Sequence, residues 1–86
     1  MPAVAEFFGI LIFIYYNDHP PPHFHARYGD YEALVQIAPL GIVKGHLRPR
    51  ALSLVIEWAQ IHKDKLLENW SYAADNKTLH KIPPLQ

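Results

Sequence analysis

The sequence predicts an α+β fold, a small, mainly antiparallel sheet of about four strands covered on one face by a long carboxy-terminal helix. Three observations carry this. Residues 6–47 hold short apolar or alternating runs punctuated by glycine and proline, residues 50–75 contain neither, and residues 76–86 return to a proline-containing stretch suited to an extended tail. Runs of strands followed by helix, rather than strand and helix in alternation, favour this class. At 86 residues the chain makes one domain. A domain that small buries only about 60% of its unfolded surface, so added burial against a partner is expected.

Residues 7–16, Phe-Phe-Gly-Ile-Leu-Ile-Phe-Ile-Tyr-Tyr, are dense in aromatic and β-branched side chains and have no polar side. They predict one strand with both faces covered, by the helix on one side and by a partner subunit or the sheet's own curl on the other. Pro20, Pro21 and Pro22 follow. Each fixes φ near about −65°, which predicts a stiff polyproline-like bridge. Beyond it, strict alternation sends His23, His25 and Arg27 to one face of a strand and Phe24, Ala26 and Tyr28 to the other. Gly29-Asp30 is a two-residue hairpin signal. The next strand places Tyr31, Ala33, Val35 and Ile37 on one face and Glu32, Leu34 and Gln36 on the other. Ala38-Pro39-Leu40-Gly41 has the residue preferences of a type I turn, and residues 42–47 then form a short edge strand.

Pro49 suits a first helical position, and Leu52, Val55, Ala59, His62, Leu66, Trp70 and Ala73 follow at steps of three and four. One continuous rod over 49–75 would reach about 40 Å at 1.5 Å per residue, too long for a domain of this size. The helix is therefore expected to bend or break near His62 to Asp64, or to overhang the domain, and Asn76 is an acceptable terminator. His62 lies within the apolar stripe and is expected to be hydrogen-bonded at the rim of the core. Trp58 and Trp70, on similar sides of the helix, are expected to be buried.

The chemistry concentrates in residues 17–29, Asn-Asp-His-Pro-Pro-Pro-His-Phe-His-Ala-Arg-Tyr-Gly, which gather three of the six histidines. The plain reading is a solvated polar strand face, with Asp18 and His19 as turn residues. Imidazoles at i and i+2 on a strand also reach one small ion, and Asp18 or His19 returning across the prolines would complete the ligand set. The spacing His-x3-His-x-His is compatible with a metal without being diagnostic. A third reading takes His23, His25, Arg27, Arg48 and Arg50 as a phosphate-binding patch for RNA or DNA.

Composition narrows the classes. There is no cysteine, which excludes a disulfide framework, a thiolate metal site and a cysteine nucleophile. Eight basic and eight acidic side chains balance, so no long-range field draws the molecule to nucleic acid or anionic lipid. The apolar run over 7–16 is shorter than the roughly 20 residues of a membrane helix, and the start of the chain lacks secretory features. Glycine-rich phosphate loops, His-Glu-x-x-His helices and serine elbows are absent from the sequence. The expectation is a small cytoplasmic interaction or regulatory module, paired as a homodimer or with a small protein partner, with no enzyme signature and no required cofactor. The alternatives are a metal-dependent enzyme holding a divalent ion such as zinc at His19, His23 and His25, and the nucleic-acid reading.

Several stretches together resemble the bacterial domain-of-unknown-function 4160 family. They are Met1-Pro2 leading to Phe8-Gly9-Ile10, residues 15–18, His19-x-Pro-Pro-His-Phe-His-Ala to Tyr28-Gly29, Arg50-Ala51-Leu52 through Glu57-Trp58-Ala59, and Leu67 to Trp70. The resemblance implies a small bacterial protein of the kind often encoded beside another short protein, hence a toxin–antitoxin-like or regulatory pair. It implies no catalytic residue. Arg48 stands where the family pattern leads one to expect proline, which leaves Pro49 to open the helix.

Overall fold

Turn chemistry divides the amino-terminal half more finely than its apolar runs suggest. The computed structural model describes residues 3–86. It contains strands β1 (Ala5–Phe7), β2 (Ile10–Phe13), β3 (His23–Tyr28), β4 (Tyr31–Gln36) and β5 (Gly41–Gly45), then helices α1 (Pro49–Ile61) and α2 (Lys63–Ala74). The strands form one antiparallel meander in chain order, leaving β1 and β5 as its edges. The α+β architecture is as expected, with five strands in place of about four.

The extra strand comes from residues 7–16, which are not one strand. Phe8 and Gly9 both have positive φ, +51° and +79°, and Phe7 pairs with Ile10 across them. Two positive values make a type I′ turn, whose twist suits a two-residue hairpin. A bulky aromatic rarely occupies that conformation, which is why the pattern hid the turn. Within the chain itself Ile10, Ile12 and Phe13 of β2 are buried. Ile10 and Ile12 enter the core, while outward-facing Phe13 lies under the Arg27 guanidinium, 4.9 Å from the ring centroid, and stacks on Tyr15 at 6.0 Å.

Two proline stretches also depart from expectation. The Pro20–Pro21 bond is cis and the chain bends at 20–21, so the three prolines do not form a continuous polyproline bridge. The Ala38–Pro39 bond is cis too, placing Pro39 third in a turn over 37–40 instead of second in a type I turn. The Gly29-Asp30 hairpin forms as read, with Tyr28 opposite Tyr31 and only Gly29 at positive φ.

Strand parity sets the layers. Phe24, Ala26, Ala33, Val35 and Ile37 join Ile10 and Ile12 on the inner face, packed against Val55, Trp58, Ala59 and Leu66 of the helices. Val43 bulges where the β4–β5 register shifts, and Gly45 closes the bulge at φ +86°. A Cβ on Gly45 would lie 2.3 Å from the Glu32 carbonyl oxygen, which accepts a hydrogen bond from His46 N–H at 3.1 Å. Glycine is therefore required there, and the backbone of Glu32 is fixed from both sides.

The helix breaks within the expected stretch. His62, at φ −110° and ψ 25°, separates α1 from α2. It is half-buried, its ring 5.6 Å from that of Trp58, and none of the described side-chain hydrogen bonds involves the ring, unlike the expected arrangement. Burial lowers its pKa below the ordinary 6.5, and the nearby Lys65 charge adds to the effect. The two tryptophans consequently meet different surroundings. Trp58 is fully buried and donates Nε1–H to the Pro83 carbonyl at 2.8 Å, whereas half-buried Trp70 rests against His23. Residues 77–86 run without regular structure across the domain. Ile82 N–H donates to Val4, and buried Asn69 donates Nδ2–H to the His80 carbonyl while accepting from the His80 N–H.

Candidate metal centre

Alternation along β3 turns His23 and His25 away from the core face that holds Phe24 and Ala26. Pairing with β2 and β4 then fixes their positions, with His25 between Phe13 and Leu34 and His23 opposite Gln36. Asp18 arrives from the connection over 14–22, just after Asn17, whose φ is +59°. Its Oδ1 accepts the His19 N–H at 2.8 Å. Its Oδ2 faces Nε2 of His23 at 2.8 Å and Nε2 of His25 at 3.3 Å.

The opposite nitrogens are anchored as well. His23 Nδ1–H donates to the Pro21 carbonyl at 2.9 Å, and His25 Nδ1 lies 3.2 Å from Oε2 of Glu32. The rings of Trp70, 4.9 Å from His23, and Tyr15, 4.5 Å from His25, wall the pair. The side chains of His23, His25 and Asp18 are 6%, 16% and 23% exposed, so the cluster is closed below and open at its carboxylate.

These contacts constrain protonation. A carbonyl oxygen offers only lone pairs, so Nδ1 of His23 must carry hydrogen, and the Glu32 carboxylate asks the same of His25. In a neutral ring Nε2 then presents a lone pair, and both lone pairs point at one carboxylate oxygen. Hydrogen at Nε2 of either ring, hydrogen on Oδ2 of Asp18, or a metal ion among the three atoms each relieves this opposition. Anchoring the distal nitrogen on a carbonyl or carboxylate is also how metal-ligating histidines are held.

The candidate ligand atoms of Asp18, His23 and His25 lie within 4.8 Å of one another. A tetrahedral ion with bonds of about 2.0–2.1 Å separates its ligands by about 3.3 Å. The two contacts at Asp18 match this to within about 0.5 Å. Without a metal and with hydrogen on the two Nε2 atoms, burial pushes the Asp18 carboxyl up, but hydrogen bonds from the His19 N–H, His25 and His23, with the His23 charge, outweigh it and hold the pKa below 3.8.

The remaining sequence candidates sit elsewhere. His19 is exposed, lies outside the converging group and contributes its backbone N–H. Arg27 is exposed, with Nε 3.6 Å from Oε1 of Glu32. Arg48 and Arg50 flank a cavity with Phe8, Ile10 and Tyr28 near the opposite end of β3, which lies roughly 10 Å along the strand from His25 and roughly 16 Å from His23 at about 3.3 Å per residue. The single phosphate patch read from the sequence thus separates into two places. Glu32, the Pro21 carbonyl, Tyr15 and Trp70 were not anticipated. Glu32 was within reach, because the Gly29-Asp30 turn sets it opposite Arg27 and diagonal to His25.

A family model described as Domain of unknown function (DUF4160) matches residues 9–71, most of the chain. The chain belongs to the DUF4160 family. The DUF4160 span runs from the first turn into α2 and includes Asp18, His23, His25 and Glu32, while β1 and the tail lie outside it. Met1 and Pro2, part of the resemblance noted above, fall outside the described residues. No curated protein and no solved structure matches the chain. Among the described residues no helix is long and apolar enough to cross a membrane.

Asp18→Asn in metal-free protein is expected to cost about 1–3 kcal/mol at neutral pH, the range for losing charge-assisted hydrogen bonds. Because the folded carboxyl titrates below its unfolded value of 3.8, its contribution is present above 3.8 and is lost as pH falls through the folded value. Urea unfolding of both proteins should show their difference closing in strong acid. A difference independent of pH would contradict the assignment.

Proposed function

We propose that this DUF4160 chain is a divalent-metal-binding protein in which Oδ2 of Asp18 and Nε2 of His23 and His25 hold one ion, whose open side activates water for hydrolysis. The observation that carries the reading is the convergence of both Nε2 atoms on one carboxylate oxygen while each Nδ1 is anchored behind it. Three protein ligands leave a coordination position free, the pattern of catalytic rather than structural zinc sites. An ion held this way lowers the pKa of bound water toward about 7 and so supplies hydroxide near neutral pH. A nitrogen and oxygen ligand set suits zinc, and also nickel, manganese or iron.

Zinc, nickel and manganese titrated into untagged, chelator-treated protein should each reveal at most one site, with the tightest binding at micromolar Kd or below. At a hundredfold excess over Kd the stabilisation is about 2.7 kcal/mol, or roughly 10–20 °C in thermal midpoint for a domain of this size. His23→Ala and His25→Ala should abolish both effects, while His19→Ala and Arg27→Ala should retain them. Binding absent below millimolar metal would contradict the proposal.

A second reading, an interaction or regulatory module of toxin–antitoxin type, draws support from edge strand β5. Its Ile42 and Val43 are 40% and 56% exposed, an unusual apolar surface for an unpaired edge. Self-pairing through that edge predicts a concentration-dependent dimer in sedimentation that Val43→Lys weakens. A monomer at all concentrations would contradict it.

A further inference from the structure

At the end of β3 remote from the histidines, the inner face of the sheet changes character. The row Ile12, Ala26 and Ala33 is sealed beneath the helices, at 1% exposure or less. In the next row Ile10 is still buried, but its neighbours Tyr28 and Tyr31 are 37% and 36% exposed. The Tyr28 ring lies against Gly9, so closely that a Cβ there would be 3.4 Å from its Cε1. Beside it Phe8 is 61% exposed.

Phe8 contributes little to the fold where it stands. It adds little to the core, and the first central position of a type I′ turn prefers asparagine, aspartate or glycine. A bulky side chain held at φ +51° and turned toward solvent is a conformational outlier of the kind that accompanies function.

Cationic groups face these rings. Between Phe8 and Tyr28 on one side and Arg48 and Arg50 on the other lies a cavity of about 260 Å³ floored by Ile10. The Arg48 guanidinium stands 5.5 Å from the Tyr31 ring centroid, and the His46 ring meets Tyr31 edge-on. Neither Arg48 nor Arg50 takes part in any of the ion pairs among the described residues. Three exposed aromatic rings with two unneutralised guanidinium groups combine the two elements that bind single strands, a stacking platform for bases and cations for the backbone.

We propose that Phe8, Tyr28 and Tyr31 together with Arg48 and Arg50 bind single-stranded nucleic acid. The zero formal net charge makes the attraction local, so binding is modest and depends on two phosphate contacts. The ligand is a strand rather than a duplex because unstacked bases alone offer their faces to the rings. This site is independent of the metal centre.

The test is fluorescence anisotropy of short labelled oligouridine and oligothymidine with the whole chain, in chelator so that the metal centre plays no part. Binding is expected at about micromolar to tens of micromolar Kd at low salt. The logarithm of affinity should fall with log salt at a slope of about −1.4, from two contacts at roughly 0.7 each. Arg48→Ala with Arg50→Ala should bring the slope close to zero. Phe8→Asn should weaken binding about fivefold or more, the lower end of what one stacked base contributes, while leaving the melting temperature unchanged or higher because asparagine suits the turn. His19→Ala, at an exposed position, should bind as the parent does. No anisotropy change at about 200 µM protein, equal affinity for a duplex, or insensitivity to these substitutions would overturn the proposal. Displacement by uridine monophosphate at the oligonucleotide's own concentration would overturn the strand in favour of a free nucleotide.

Discussion

Oδ2 of Asp18 faces two imidazole nitrogens at once, and the irregular part of the molecule is organised around that meeting. The connection over 14–22 has no helix or strand of its own, and side-chain contacts and a few hydrogen bonds tie it down. Tyr16 Oη–H donates to the Lys77 carbonyl, Ile37 N–H to Pro22, and His23 Nδ1–H to Pro21. Ile14 is buried in the core and the Tyr15 ring packs on Phe13 and His25, while Asp18 fixes the middle of the connection on His23 and His25. Three lone-pair atoms in a partly buried cluster repel unless a proton or a metal ion stands among them, and removing one partner costs about 1–3 kcal/mol. What stands among the three atoms therefore sets how firmly the connection is held.

The regular structure supports this cluster from beneath. The break at His62 gives α2 a direction of its own and lets Trp70 cover His23, while Trp58 stays in the core. The bulge closed by Gly45 grips the backbone of Glu32, whose side chain orients His25. Fold and site share these residues, and substitutions in the bulge or at Trp70 act on both. The helices cover only the middle of the inner face, which leaves the last row of the sheet, with Phe8, Tyr28 and Tyr31, to solvent.

Alternation was the strongest signal in the sequence. It placed Phe24 and Ala26 inward and His23, His25 and Arg27 outward, and helix length called for either an overhang or the break that falls at His62. Asp18 was legible as a residue able to return to the histidines, because short loops bring their ends together. Other features left little trace. Phe8 disguised a turn that Gly9 alone could announce. The contact of Trp70 with His23 depends on the angle between two helices, which periodicity does not encode. Asn69 finds its partners on the backbone of a tail that has no pattern, and the separation of Arg48 and Arg50 from the histidines depends on which end of the sheet α1 begins.

The most direct measurement is long-range ¹⁵N–¹H NMR of the imidazoles in protein loaded with one equivalent of cadmium-113 near pH 7.5. The account predicts that His23 and His25 are both Nδ1–H tautomers, that each Nε2 is scalar-coupled to the same cadmium nucleus, and that His19 shows no coupling. Nε2-protonated or doubly protonated rings at His23 and His25, with no coupling to the metal, would contradict the centre and leave Asp18 bridging two imidazolium groups.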